Sequence, residues 1–195
     1  LDVLFAPVAA GLGVDRATAK VAGLGAMYGQ TAGAGARALV GLRRSYPVAM
    51  AYLDAADEAA QVGTDLRTYG GRLVRMGSAA LGEPGQPGSM GDREARSRAA
   101  ARGRYGRNAM VQGAAAELFK VWAVTVRARG RGIGATVVLC LHDELLVHVP
   151  IEHAEAASAL VDDALQEAAA RWAPDRTVRF LADTSTISTW ADAKA

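Results

Sequence analysis

The chain is short of cysteine, of lysine and of long apolar runs, and each shortage removes a class of protein. One cysteine, Cys140, among 195 residues leaves no disulfide framework, and a reducing compartment, the cytoplasm, is the expected setting. No apolar stretch approaches the roughly 18–20 residues that a membrane-spanning helix needs, so no membrane role is expected. The first residues lack a charged region followed by an apolar core and do not read as a signal peptide. Lysine is scarce: of the 22 basic residues, 3 are Lys and 19 are Arg, a bias that a GC-rich genome produces together with abundant Ala and Gly.

Net charge is only +2, so the chain is no polycation. Arginine nevertheless clusters at Arg93, Arg96, Arg98, Arg102, Arg104 and Arg107, and again at Arg127, Arg129 and Arg131. Such clusters suit contacts with a phosphate backbone, and solvated loop and helix ends account for them as readily. The composition, 51% hydrophobic and 22% charged with mean hydropathy +0.09, is globular. The length suffices for one sizeable core or one domain plus a lobe. The chain opens on Leu1 rather than Met and is read as a piece of something longer.

Patterning predicts a helix over 15–28, stopped by Gly29 and weakened by Gly23 and Gly25, each costing about 1 kcal/mol relative to Ala. Further helices are expected over 33–43 and from Pro47 to Val62, the latter with Ser45 as cap. Arg67 to Val74 reads as a hairpin with a Gly-Gly turn. Residues 77–92, rich in Gly and Pro, read as a mobile loop. Helix returns from Arg93 to Arg129, with a break expected near Gly103 or Gly106. Its later part is amphipathic through Ala115, Phe119, Trp122 and Val126. Residues 135–149 read as two strands around an acidic turn, closed by Pro150. An Ala-rich helix from Glu152 to Arg171 follows, with a last strand over Thr177 to Leu181. This order predicts an α/β or α+β fold with an antiparallel sheet.

Three constellations carry chemistry. Arg16, Lys20, Leu24 and Tyr28 are four apart, a spacing that advances each side chain by about 40° and places all four on one stripe. Two cations one turn apart can grip successive phosphates, and an aromatic on the same face can shape a site for a base. Spacing alone favours an ordinary amphipathic helix. Arg104, Asn108 and Gln112 form a second stripe, whose amides suit minor-groove base edges or a sugar–phosphate backbone, or simply a solvent-facing row. The third is the turn His142-Asp143-Glu144, whose carboxylates suit Mg²⁺ and whose alternative is a polar hairpin tip. His148 and His153 read as structural, and Cys140 as a small buried hydrophobe.

Taken in order, these motifs resemble family A DNA polymerases, the DNA polymerase I family. That family has a fingers helix of pattern R-x3-K-x3-[F/Y]-x3-Y-G, matched by Arg16, Lys20, Leu24, Tyr28 and Gly29. Its later helix, with spaced Arg, Asn and Gln before Gly-Thr-Ala-Ala, is similar to Arg104, Asn108, Gln112 and Gly113 to Ala116. Its palm carries a strand–His-Asp-Glu–strand element like Leu141 to Leu145. The resemblance covers most of the chain. It implies a helical fingers subdomain over about 12–65 and part of an antiparallel-sheet palm over about 66–195.

The resemblance implies template-dependent addition of dNTPs to a primer 3′-hydroxyl by a monomeric, DNA-binding enzyme. Arg16, Lys20, Leu24 and Tyr28 would bind the dNTP, with Tyr28 at the nascent base pair. Arg104, Asn108, Gln112 and His142 would contact primer–template DNA. Asp143 and Glu144 would bind catalytic Mg²⁺ and, with Lys20, count as the catalytic residues. Two departures stand out: Leu24 replaces the family's Phe or Tyr, and no D-[Y/F]-S-x-[I/V]-E-L-R motif, source of the other metal-binding Asp, precedes Arg16. The two-metal site is therefore expected to be incomplete and the isolated segment inactive. A non-catalytic nucleic-acid-binding relative is the alternative. A metal phosphohydrolase built on His142 and Asp143 is weaker, since His148 and His153 make a poor further ligand set.

Overall fold

The computed structural model describes residues 2–28, 34–77, 92–175 and 177–194. Six α-helices and two antiparallel strand pairs are found among them. They are α1 (Asp2–Leu12), α2 (Arg16–Tyr28), α3 (Ala34–Ser45), α4 (Pro47–Gln61), β1 (Leu66–Arg67), β2 (Leu73–Val74), α5 (Asp92–Gly130), β3 (Thr136–Leu141), β4 (Glu144–His148) and α6 (Ala154–Trp172). The fold is mostly helical α+β, and the chain forms two compact units, Leu1–Ala114 and Ala115–Ala195.

In the first unit, α2 begins where Asp15 caps it. The Thr18 amide and hydroxyl donate to the two Asp15 carboxylate oxygens at 2.9 and 2.8 Å, satisfying an amide that the helix start would otherwise leave unpaired. The α4 boundary differs from the Ser45 cap expected. Ser45 ends α3, Tyr46 occupies the cap position without a side-chain bond, and Pro47 opens α4. A proline there has no amide to satisfy, and it disfavours helical geometry in the residue before it, which separates the two helices. Two apolar cores result. One joins Ala22, Leu42, Met50 and Leu53 with Val8 and Leu12 of α1, a helix the sequence patterning did not anticipate. The other joins Ala56, Ala60, Leu66, Val74, Met76 and Met110.

The small hairpin is real, but its turn is not a two-residue Gly-Gly link. Leu66 pairs with Val74 and Arg67 with Leu73, leaving a five-residue loop from Thr68 to Arg72. Buried Thr68 closes it: its amide donates to the Arg72 carbonyl at 3.0 Å and its hydroxyl accepts from the Arg72 amide at 3.0 Å. Gly71, at φ 88°, takes the left-handed step.

Helix α5 also departs from expectation, running unbroken through Gly103 and Gly106. A Cβ at Gly106 would lie 2.5 Å from Ala60 Cβ, 3.0 Å from Leu66 Cδ1 and 3.1 Å from the Ala56 carbonyl. Glycine there lets α5 approach α4 closely and does not end the helix. Gly29 and residues 78–91, which include most of the expected loop, lie outside the described residues.

The second unit is organised around Trp122, Val126, Ala164, Leu165 and Ala168, against which Phe119, Val137, Leu145, Val147 and Phe180 pack. Phe119 and Trp122 meet edge to face at 5.9 Å, and the Trp122 indole donates to the Val161 carbonyl at 2.9 Å. Ala115, expected on this seam, is exposed instead. Strands β3 and β4 pair from Thr136↔His148 to Leu141↔Glu144, with a bulge between Val137 and Leu139.

Two further expectations fail in this unit. Cys140 is exposed rather than buried. It pairs with Leu145 near the turn, on a ribbon only two strands wide among the described residues. Residues 177–181 form no strand. Phe180 packs against the core, and its carbonyl accepts from the Gln166 side chain at 3.2 Å where a strand would supply a backbone partner.

Candidate functional site

Helix α2 presents the first row as spaced. Ala19 and Ala22 are buried on its inner side, Arg16 and Lys20 are exposed, Leu24 is half-buried, and Tyr28, the last helical residue, is exposed. Asp15 fixes the start of the helix one residue before Arg16, and the Thr18 amide, followed by the Thr18 hydroxyl, holds its carboxyl below the ordinary carboxylate range. The cap leaves the exposed cationic end of α2 regular and oriented.

On α5, Arg104 and Gln112 are exposed and Asn108 is half-buried, while Gly103, Gly106, Arg107, Met110 and Gly113 face inward. Gly113 is required by a close approach: a Cβ there would lie 2.6 Å from an Arg72 guanidinium nitrogen and 2.7 Å from Thr68 Cγ2. The hairpin loop therefore rests on the turn of α5 that carries Gln112. The Asn108 carbonyl oxygen Oδ1 is buried without a hydrogen-bond partner. The two rows meet at one point, where Gln112 Nε2 donates to the Tyr28 hydroxyl oxygen at 3.1 Å.

Sequence reasoning missed what anchors the second row. Arg107, adjacent to Asn108, is only 5% exposed and bridges Asp54 at 2.6 Å and Asp57 at 3.3 Å on α4. Arg43 of α3 also binds both Asp54 oxygens. That bond lowers the Asp54 pKa, and the Arg107 charge adds to the effect against the opposing cost of burial. The Arg102 guanidinium donates to the Gln61 carbonyl at 2.7 Å, at the end of α4. The Arg107 terminal nitrogen thus ties α5 to α4, and Asp54 is shared with Arg43 of α3, so the stripe from Arg104 to Gln112 is anchored beside a buried ion-pair cluster. Asp54 and Asp57, three apart on α4, were the available signal. They have no meaning until α5 supplies the arginine.

In the second unit, His142 and Asp143 form a two-residue turn, and Glu144 opens β4 opposite Leu141. All three side chains are exposed. His142 has φ 53°, a left-handed conformation in which His is better tolerated than most non-glycine residues. The turn displays two neighbouring carboxylates at a fixed place. Among the described residues, no group of three or more His, Cys, Asp or Glu side chains gathers to hold a metal ion. Likewise, no helix is long and apolar enough to cross a membrane.

The profile of DNA polymerase family A matches residues 13–192. The chain is 34% identical over 87 residues to DNA polymerase theta of Caenorhabditis elegans, covering 45% of this chain and 5% of that protein. It is 43% identical over 61 residues to the thermostable DNA polymerase I of Thermus filiformis, covering 31% of this chain and 7% of that one. Among solved structures it is similar in fold to the POL domain of Pol1 from M. smegmatis, in complex with DNA primer-template and dNTP. There the TM-score is 0.62 at 21% identity, over 83% of this chain and 30% of that one. The chain thus corresponds to a small part of the length of the proteins it matches. With the family profile spanning nearly its whole length, the chain belongs to DNA polymerase family A.

Proposed function

We propose that this chain is the fingers and part of the palm of a template-directed DNA polymerase, working as a monomer on primer–template DNA and dNTPs. The observation that carries the reading is the meeting of the two rows at Tyr28 and Gln112, which sets a phosphate-gripping face beside a groove-reading face. Arg16 and Lys20 grip the triphosphate, each cation taking a different phosphate oxygen. Lys20 also offsets charge on the departing pyrophosphate. Tyr28 bounds the nascent base pair. Arg104 fixes the duplex backbone, and Asn108 and Gln112 meet minor-groove edges. His142 lies at the primer terminus. Leu24 gives the sugar an aliphatic neighbour in place of an aromatic one, which bears on sugar discrimination.

Asp143 and Glu144 suit a hard, oxygen-ligated cation, since two exposed carboxylates on a rigid turn leave room for phosphate oxygens and water. Bound there, Mg²⁺ would supply activation of the primer 3′-hydroxyl and charge neutralisation on the leaving group. The new bond joins that oxygen to the α-phosphorus, and the bond to pyrophosphate breaks. The residues present provide only one anchor of such a site, because no Asp-Tyr-Ser-type motif precedes Arg16.

The expected outcome is that the chain alone binds a primer–template duplex but does not extend it with Mg²⁺ and dNTPs. Joined to a polymerase region that carries the missing Asp motif, it extends primers, and Asp143→Ala abolishes incorporation while leaving duplex binding nearly intact. Incorporation retained after Asp143→Ala would remove that residue from its role. A joined protein that binds duplex and never extends would favour the second reading, a non-catalytic nucleic-acid-binding relative, which the substitution at Leu24 also fits.

A further inference from the structure

The bond between Tyr28 and Gln112 joins residues 84 positions apart in sequence, and neither partner is buried. Tyr28, 41% exposed, ends α2, so a tether on its hydroxyl is a tether on the last turn of that helix. Gln112 has two amide N–H donors and one acceptor, and one donor is committed to Tyr28. One turn earlier on the same stripe, Asn108 Oδ1 lacks any partner, so this part of α5 is not a self-satisfied polar network. An exposed neutral bond of this kind shifts an equilibrium by about fivefold, which leaves roughly five molecules in six bonded. It is weak enough to be exchanged for a comparable bond to a ligand.

We propose that the Tyr28–Gln112 hydrogen bond is a latch that primer–template DNA opens. The inference rests on the reading of the Arg104–Asn108–Gln112 row as a duplex contact. Minor-groove edges offer adenine N3 and thymine O2 as acceptors. When such an acceptor takes the N–H that Tyr28 holds, rather than the second N–H of the Gln112 amide, one bond replaces another and the end of α2 is released. The nucleotide-gripping helix therefore becomes free to move once a duplex is in place. Gln112 acts on Tyr28 as a positioning residue in the free protein and as a DNA contact in the complex.

The test places 3-fluorotyrosine at position 28 and follows its ¹⁹F resonance. In the free protein, Gln112→Ala should shift the resonance and so mark the open state. Titrating the otherwise unaltered protein with a primer–template duplex should move the resonance to that same position. Tyr28→Phe should tighten duplex binding, measured by fluorescence anisotropy, by about fivefold. The same change should have no effect when Gln112 is already Ala. Gln112→Glu, which leaves an acceptor for the tyrosine proton, should keep the resonance away from the open position. Circular dichroism confirms that each variant is folded.

Three results overturn the latch alone: a free-protein resonance indifferent to Gln112→Ala, duplex binding that leaves the bonded resonance in place, or a Tyr28→Phe variant of unchanged affinity. Absence of any duplex binding overturns the DNA-contact reading and the latch together.

Discussion

Replacing Gly106 by alanine sets two opposing magnitudes against each other on a single residue. Alanine in a helix interior is favoured over glycine by about 1 kcal/mol, so patterning alone predicts a more stable α5. The added Cβ would stand 2.5 Å from Ala60 Cβ, 3.0 Å from Leu66 Cδ1 and 3.1 Å from the Ala56 carbonyl oxygen. Two of those neighbours cannot yield by rotating a side chain, because one is a Cβ and the other is backbone. Optimal carbon contacts lie at roughly 3.5–4.0 Å, so the shortest is deficient by about 1 Å. Relief requires α4 and α5 to separate, at the upper part of the roughly 1–3 kcal/mol typical of overpacking. The net effect is a loss of about 1–2 kcal/mol.

For a chain of this size that loss lowers the melting temperature by roughly 2–8 °C. Thermal melts followed by far-ultraviolet circular dichroism measure it. Gly11→Ala in α1, where a Cβ meets nothing within 4 Å, is the matched control and should raise stability by up to about 1 kcal/mol. A Gly106→Ala variant that melts at or above the parent temperature would refute the close-approach explanation and restore a purely local role for that glycine.

Three other outcomes are expected. Because Arg43, aided by Arg107, lowers the Asp54 pKa, the stability from that carboxylate is present above its unfolded value near 3.8 and is lost as pH falls through the lower folded value. Asp54→Asn should therefore destabilise the protein at neutral pH and flatten its acid unfolding profile below pH ~4, as read by denaturant midpoints across pH. At His142, φ 53° suits glycine, so His142→Gly should leave hairpin stability intact or improved, whereas β-branched His142→Val should lose about 1–2 kcal/mol in chemical denaturation. If Arg104 meets a phosphate, Arg104→Ala should weaken duplex binding for every sequence alike and reduce the salt slope of log affinity by about 1, as measured by anisotropy between low and moderate salt.

Local periodicity and side-chain type settled much of this protein in advance. Four-residue spacing sufficed to place Arg16, Lys20, Leu24 and Tyr28 on one helical stripe, and Arg104, Asn108 and Gln112 on another, because a helix repeats every 3.6 residues whatever surrounds it. An apolar run on each side of His142-Asp143-Glu144 was enough for a strand pair, and motif order was enough for the family. Tertiary packing decided what local rules could not weigh. Gly106 is a breaker by propensity and a contact surface in the fold, since only the approach of α4 shows what its missing side chain makes room for. Residues 177–181 alternate like a strand, yet the Gln166 side chain takes the Phe180 carbonyl that a neighbouring strand would have paired. Cys140 reads as core because its neighbours are apolar, but its exposure depends on how many strands cover the ribbon. Asp54, Asp57 and Arg107 become one charged anchor, and Tyr28 and Gln112 one hydrogen bond, only when chain segments fifty or more residues apart come together. Pairings at that distance depend on the geometry of the whole unit, which no window along the sequence contains.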